Sequence, residues 1–362
     1  MLKLLSLTTR NLASKKGDVS FFFFFVAVLG AVFALQLSGV SIGRWGVDEG
    51  MYILGIETQG AMGVNSMADR VVVSLTPFFK IGPLYNAVPT IGIVYIITRI
   101  AYQANVIERL IIFYLSFPLI FQLQFVSKEA IISFFVILLF GIFSFVRSEK
   151  ARLIITLGGL ALLAASFRQY YAISVAIFLC LFFVRDTYLR LLFVAAGIVA
   201  AGMVEAIRLP LLEARYFIYY GVSDAAMSKT PLLFTGYGPV DFIGNYIVTL
   251  IFSTFPIFLN LRIQELYMQI YMLLIFFSLG EAFRRGDRVL VTLFCGIGLT
   301  LPVFVAELGT LSRHLGAVLP LLLMSFYFAP QAVEARRRKR ELDESSSVPL
   351  ARRGVRREAE GQ

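Results

Sequence analysis

The feature that most constrains this chain is that its apolar residues arrive in blocks long enough to cross a bilayer. Such blocks lie near 19–41, 82–101, 107–126, 130–147, 152–167, 169–185, 189–207, 264–283, 289–307 and 314–330. A helix needs roughly 20 residues to traverse about 30 Å of hydrocarbon, and several of these blocks sit at or under that length. Backbone N–H and C=O groups find no water there, so a spanning segment must bond to itself as a helix. The expected fold is therefore all-α, a polytopic transmembrane helix bundle of about ten spans. Composition agrees: 58% of residues are apolar and 15% charged, where a soluble domain carries roughly a quarter charged. That excludes an ordinary cytosolic enzyme, a disordered chain and a disulfide-stapled secreted domain.

Orientation follows from the short basic loops. Lys3, Arg10, Lys15 and Lys16 precede the first block; Arg99 and Arg109, then Arg147, Lys150 and Arg152, then Arg185 and Arg190, then Arg284, Arg285 and Arg288 mark further turns. With ten helices and a cytoplasmic N-terminus, all of these fall on the cytoplasmic face. So does the basic run Arg336–Arg340, which places the C-terminus in the cytoplasm too. No small-residue cleavage site follows the first long apolar run, so it reads as an anchor and not as a removable signal. The net charge of +10 is concentrated beside the last block, where it faces anionic membrane lipid; nucleic acid is not expected as a partner. Residues 1–335 form the membrane domain, and 336–362 read as a basic, disordered cytoplasmic tail.

One segment breaks the count. Residues 241–260 could cross by length, but that would translocate the arginine tail. The segment is interrupted by Asn245, Thr249, Ser253, Thr254 and Pro256. It reads as an extracytoplasmic interfacial or re-entrant helix, with an eleventh span as the alternative. Two large outer elements result, 42–81 and 208–262.

Charges near membrane depth are costly, which makes the outer-face polar residues the candidate site. Asp48-Glu49, followed by Tyr52, offers a carboxylate as general base; the alternative is a solvated acid pair beside Arg44. Lys128-Glu129 opens a span, where Glu129 either binds or simply complements the helix dipole behind a Ser127 cap. Arg168-Gln169-Tyr170 fills a very short outer turn, where an arginine either grips phosphate or carboxylate or snorkels beside belt tyrosines. Arg313-His314 forms the last outer turn; His314 is either a proton shuttle or a polar cap. Arg208, Glu213 and Arg215 open the second outer element, ahead of tyrosines suited either to sugar rings or to an aromatic belt.

Neither Cys180 nor Cys295 has a metal or disulfide spacing, and the single histidine excludes a multi-histidine metal site. No phosphate loop, dinucleotide fingerprint or HExxH is present. No metal and no other cofactor is expected. Mid-span charges in a continuous path, which an ion-coupled transporter would show, are also missing.

Taken together, Asp48-Glu49-x-x-Tyr52, Ser127-Lys128-Glu129, Phe167-Arg168-Gln169-Tyr170-Tyr171, a proline-interrupted segment followed by Glu265, and Ser312-Arg313-His314 resemble bacterial Wzy-type polysaccharide polymerases of exopolysaccharide and O-antigen synthesis. Arg168-Gln169-x-x-Ala172 is similar to the EpsG-like members. The resemblance is spread over roughly residues 40–330, and the outer loops here are modest, without long Arg-x-x-x motifs. It implies an inner-membrane enzyme that joins undecaprenyl-pyrophosphate-linked oligosaccharide repeat units outside the cytoplasm, with chain-length regulator and export proteins as partners. The family's paired arginines would fall on Arg168 and one of Arg215 or Arg313. Two alternatives remain at this stage. One is a C-type polytopic glycosyltransferase with a lipid-phosphate sugar donor. The other is a lipid-linked oligosaccharide flippase or transporter.

Overall fold

The computed structural model describes residues 82–123, 129–166, 171–184, 186–221, 229–259, 261–305 and 308–346, with Ala27 and Gly30. Among the described residues the structure is helical, without strands. In chain order the helices are α1 (Gly82–Tyr85), α2 (Ala87–Tyr102), α3 (Val106–Gln122), α4 (Glu129–Phe145), α5 (Glu149–Ser166), α6 (Tyr171–Phe183) and α7 (Thr187–Met203). There follow α8 (Glu205–Gly221), α9 (Pro239–Thr254), a 3-10 turn (Pro256–Phe258), α10 (Ile263–Arg285), α11 (Arg288–Phe304) and α12 (Leu308–Ser346). The expected span at 19–41 (Ala27 and Gly30 apart), the outer element 42–81 and the last tail residues lie outside the described residues.

Short polar residues set the helix starts. Asp186 accepts from Leu189 N–H at 2.9 Å to begin α7. Asp287 accepts from Val289 and Leu290 N–H at 3.1 and 3.3 Å to begin α11. Each answers donors that a first helical turn leaves without a backbone partner.

The bundle is built around its last helices. α12 packs against α2, α3, α4, α10 and α11, while α11 also packs against α5, α6, α8 and α9. The apolar stretch Thr310–Ala329 of α12 is 83% buried, which makes it an axis and not a peripheral helix. A helix apolar on all sides belongs in such a position. Small residues let the backbones close. A Cβ at Gly296 of α11 would stand 3.0 Å from Ser174 O on α6, and Ser174 Oγ donates to Thr300 Oγ1 at 3.0 Å beside it.

The outside of the bundle is apolar as well. Ile91, Leu138, Ile154, Leu191, Leu192, Ile263 and Leu273 are all exposed. Helix α9 reverses the pattern of a water-soluble helix: Asn245, Thr249 and Ser253, four residues apart, are buried, while Val240, Ile247 and Ile251 are exposed. Among the described residues two helices are long and apolar enough to cross a membrane, over Glu265–Arg285 and Thr310–Ala329. The pair α7–α8, bent by 85°, makes a third if it counts as one span. Helices α2, α4, α6 and α11 coincide with expected spans and are apolar, but have 16, 17, 13 and 17 residues. Helix α9, with 16 residues, rises about 24 Å, short of a hydrocarbon core of about 30 Å.

Two elements differ from the sequence reading. Helix α8 occupies the start of what reads as an outer loop. Its charged and tyrosine residues hide a helical stripe in which Leu212, Arg215 and Tyr216 are buried at spacings of three and four. Helix α12 continues through Ser346, into the segment 336–362 that reads as disordered. Arginine, lysine and glutamate are good helix formers, and Arg337/Glu341 and Arg340/Glu344 have the i,i+4 spacing that supports a helix.

Candidate functional site

Two clusters of buried charge stand out, one where α4 meets the start of α12 and one where α8 meets Pro302 of α11. The first unites residues almost two hundred positions apart in sequence. Glu129 opens α4 and is buried; Arg313 Nε stands 3.4 Å and His314 Nδ1 3.5 Å from the same carboxylate oxygen, Oε1. Both contacts are ion-pair distances, the second carrying charge only if the imidazole is protonated. His314 is almost fully buried, Arg313 about one-fifth exposed. Glu129 thus lies in the first helical turn and also faces a cation from another helix.

The second cluster centres on Arg215. Its guanidinium is fully buried, yet its hydrogen bonds are long. Nη1 donates to Pro302 O and Nη2 to Thr230 Oγ1, each at 3.4 Å. Its buried Nε has no hydrogen-bond partner, and no carboxylate among the described residues pairs with it. Burial draws the guanidinium down to about 10, opposed by Tyr216 and Tyr219, so it stays charged at neutral pH. A buried cation without a counter-charge is costly. Arg313 differs in this respect, because Glu129 already neutralises it.

The segment 229–238 covers Arg215, and side chains hold its irregular backbone in place. Tyr216 OH donates to Phe234 O at 3.2 Å and also to Gly236 O. Asn245 Nδ2 donates to Phe234 O at 2.8 Å. Asp241 accepts from Gly236 and Gly238 N–H at 3.1 and 2.9 Å. Arg208 Nε reaches Tyr237 O at 2.8 Å, and Lys229 Nζ reaches Tyr219 O at 2.8 Å. Irregular backbone shielded from water needs such partners. Buried Tyr216 meets Tyr237 edge-on at 5.2 Å, and Tyr219 meets Tyr220 at 5.4 Å. Tyr220 and Tyr237 are exposed, an aromatic platform beside cations.

Of the residues singled out in the sequence, Glu129, Arg313 and His314 come together, and Arg215 contacts Pro302 of α11. Asp48, Glu49, Tyr52, Lys128, Arg168, Gln169 and Tyr170 lie outside the described residues. Sequence reasoning missed the burial of Asn86, Thr90 and Thr230; for Asn86 and Thr90 a short polar side chain inside an apolar block was the available signal. Glu265, quoted only as part of a motif, is fully buried in the first turn of α10. Among the described residues no group of three or more His, Cys, Asp or Glu could hold a metal ion. Comparison with known proteins finds no matching family model, no matching curated protein and no matching solved structure.

Proposed function

We propose that this chain is a multi-pass bacterial inner-membrane polymerase of about ten spans, with both termini in the cytoplasm. In this reading it joins undecaprenyl-pyrophosphate-linked oligosaccharide repeat units in exopolysaccharide or O-antigen synthesis. The observation that supports this reading is Arg215, a fully buried guanidinium with only long hydrogen bonds and no carboxylate partner. Such a cation is preorganised for an anion that the substrate brings. A diphosphate leaving group is one, and arginine's planar fork suits it.

In the proposed reaction a sugar hydroxyl of one repeat unit attacks the anomeric carbon of another lipid-linked chain. The C1–O bond to the diphosphate breaks as the new C–O bond forms, and the hydroxyl proton passes to a carboxylate. Asp48 or Glu49 is the proposed base. The phosphate displaces the 3.4 Å contacts to Thr230 and Pro302, and Arg215 stabilises the charge that grows on the leaving oxygen. Glu129 holds Arg313 and His314 at the rim, and Tyr220 and Tyr237 present faces on which sugar rings stack. The outward apolar residues give polyprenyl chains lipid-side access.

The test is the size distribution of surface polysaccharide in a deletion strain. Accumulated single lipid-linked repeats with no polymer are expected. Polymer of unchanged length and amount would overturn the reading.

A further inference from the structure

Two side chains of α9 are buried with hydrogen-bonding capacity unused. Asn245 Oδ1 and Thr249 Oγ1 have no hydrogen-bond partner, and each residue is only 1% exposed. Buried polar atoms are satisfied in the great majority of cases, so each of these calls for a physical reason. Ser253, next on the same face, needs none: its Oγ donates to Leu250 O at 3.1 Å.

Several contacts bring this part of α9 to the Arg215 guanidinium. Tyr246 OH donates to Leu299 O at 3.1 Å, and Arg215 Nη1 donates to Pro302 O at 3.4 Å. The two helices therefore meet α11 less than one turn apart. Asn245 Nδ2 and the OH of Tyr216, the residue after Arg215, both donate to Phe234 O, at 2.8 and 3.2 Å. Thr230 of the same segment takes Arg215 Nη2. One short stretch of backbone thus joins Asn245 to Arg215.

Chemistry fixes the orientation of the Asn245 amide. A carbonyl oxygen only accepts, so Nδ2 must face Phe234 O and Oδ1 must turn away from it. This leaves a buried acceptor at Asn245 Oδ1, a buried hydroxyl one turn on at Thr249, and a buried donor at Arg215 Nε. Positions i and i+4 share a helix face and lie about 6 Å apart along the axis, close to the breadth of one pyranose ring. The three groups together call for a ligand that offers hydroxyls to an acceptor and an anionic oxygen to a cation. A sugar carried on a phosphate is such a ligand. We infer that Asn245 and Thr249 form a hydroxyl-binding subsite for the sugar attached to the diphosphate that Arg215 grips. The inference rests on the reading of Arg215 as a diphosphate clamp, and it adds the residues that select the first sugar. The ligand enters by displacing the segment 229–238, whose contact with Arg215 is the long one to Thr230.

Native mass spectrometry of the full-length protein in detergent tests this with two probes titrated separately: farnesyl diphosphate, and farnesyl diphosphate carrying one hexose through its C1 oxygen. Thr249→Val removes the hydroxyl and nearly keeps the shape. It should weaken the hexosyl probe about three- to tenfold, the loss of one hydrogen bond, and leave farnesyl diphosphate unchanged. Thr249→Ser should retain hexosyl binding, and Ser253→Ala should leave both probes unchanged. Arg215→Met should weaken both. The unfolding temperature of Thr249→Val should hold or rise, because the hydroxyl has no partner within the protein to lose. Hexosyl binding as tight in Thr249→Val as in the unsubstituted protein would overturn the subsite, whether or not Arg215→Met weakens both probes. So would a lowered unfolding temperature, which would make the hydroxyl structural. A selective Thr249→Val loss beside unchanged binding by Arg215→Met would support the subsite and overturn the clamp alone.

Discussion

Arg152 on α5 and Asp287 at the start of α11 form a buried ion pair, Nη1 to Oδ2, at 2.7 Å. Every other group around the pair is engaged too. Arg152 Nε and Nη2 donate to Val146 O and Phe143 O at 2.6 and 2.9 Å. Its guanidinium lies 4.8 Å from the Phe143 ring centre and 5.2 Å from that of Phe328. Asp287 Oδ1 caps α11, and Asp287 N–H donates to Ser325 O at 2.9 Å. Four helices, α4, α5, α11 and α12, are thereby tied at one end of the bundle.

Removing one member leaves the other charged and buried. Arg152→Ala should therefore destabilise the fold by about 3–5 kcal/mol. Exchanging both residues for leucine and methionine should cost much less, because no charge remains to be solvated. Thermal unfolding in detergent measures this, and equal losses in the single and double variants would contradict it.

Arg215 should behave in the opposite way. Its burial without a carboxylate costs stability, so Arg215→Met should leave the unfolding temperature unchanged or raise it. Polymer formation should nevertheless disappear. Arg215→Lys keeps charge but loses the planar fork, and should lower the rate ten- to a hundredfold, equivalent to about 1.5–3 kcal/mol. In vitro polymerisation at equal protein, beside the melting curves, checks both. A stable, fully active Arg215→Met protein would remove the residue from the site.

The contact between Glu129 and Arg313 can be measured by a double-mutant cycle. Glu129→Gln and Arg313→Gln should be coupled by about 0.5–3 kcal/mol in stability. Additive effects would mean that the 3.4 Å approach carries no energy.

Topology and the acid pair are tested together. With Cys180 and Cys295 replaced, a cysteine at exposed Tyr237 should be labelled from outside the cell, and a C-terminal tag only from inside. Asp48→Asn or Glu49→Gln should abolish product while the protein still accumulates in the membrane. Full activity in both would reduce the pair to a loop feature.

The helices were legible because apolar blocks and capping residues are local signals: α2 to α7 and α10 to α12 lie where the blocks lie. Helix α8 was not, because its buried stripe includes Arg215 and Tyr216, residue types that read as an exposed loop. The site was legible in its members and not in its pairing. Glu129 and Arg313 each stood out as charges at span ends, but nothing local joins positions so far apart. Arg152 shows the limit most plainly. Its charge reads as a loop marker for orientation, while its partner Asp287, 135 residues away, makes it an interior residue. Pairing of this kind depends on how helices stack, and single-sequence periodicity does not record it.

The central position of α12 also bears on how the protein is made. The ribosome makes this helix after α2, α3, α4, α10 and α11, yet all of them pack on it. The earlier helices must therefore wait as a loosely associated set, with the slot for Thr310–Ala329 still open. A translation product that stops short of Leu308 lacks its axis and not its rim. Such fragments expose the inner faces of several helices at once, which makes them natural substrates for quality-control proteases. Assembly of these helices thus proceeds from the outside in, with the axis made after the neighbours that surround it.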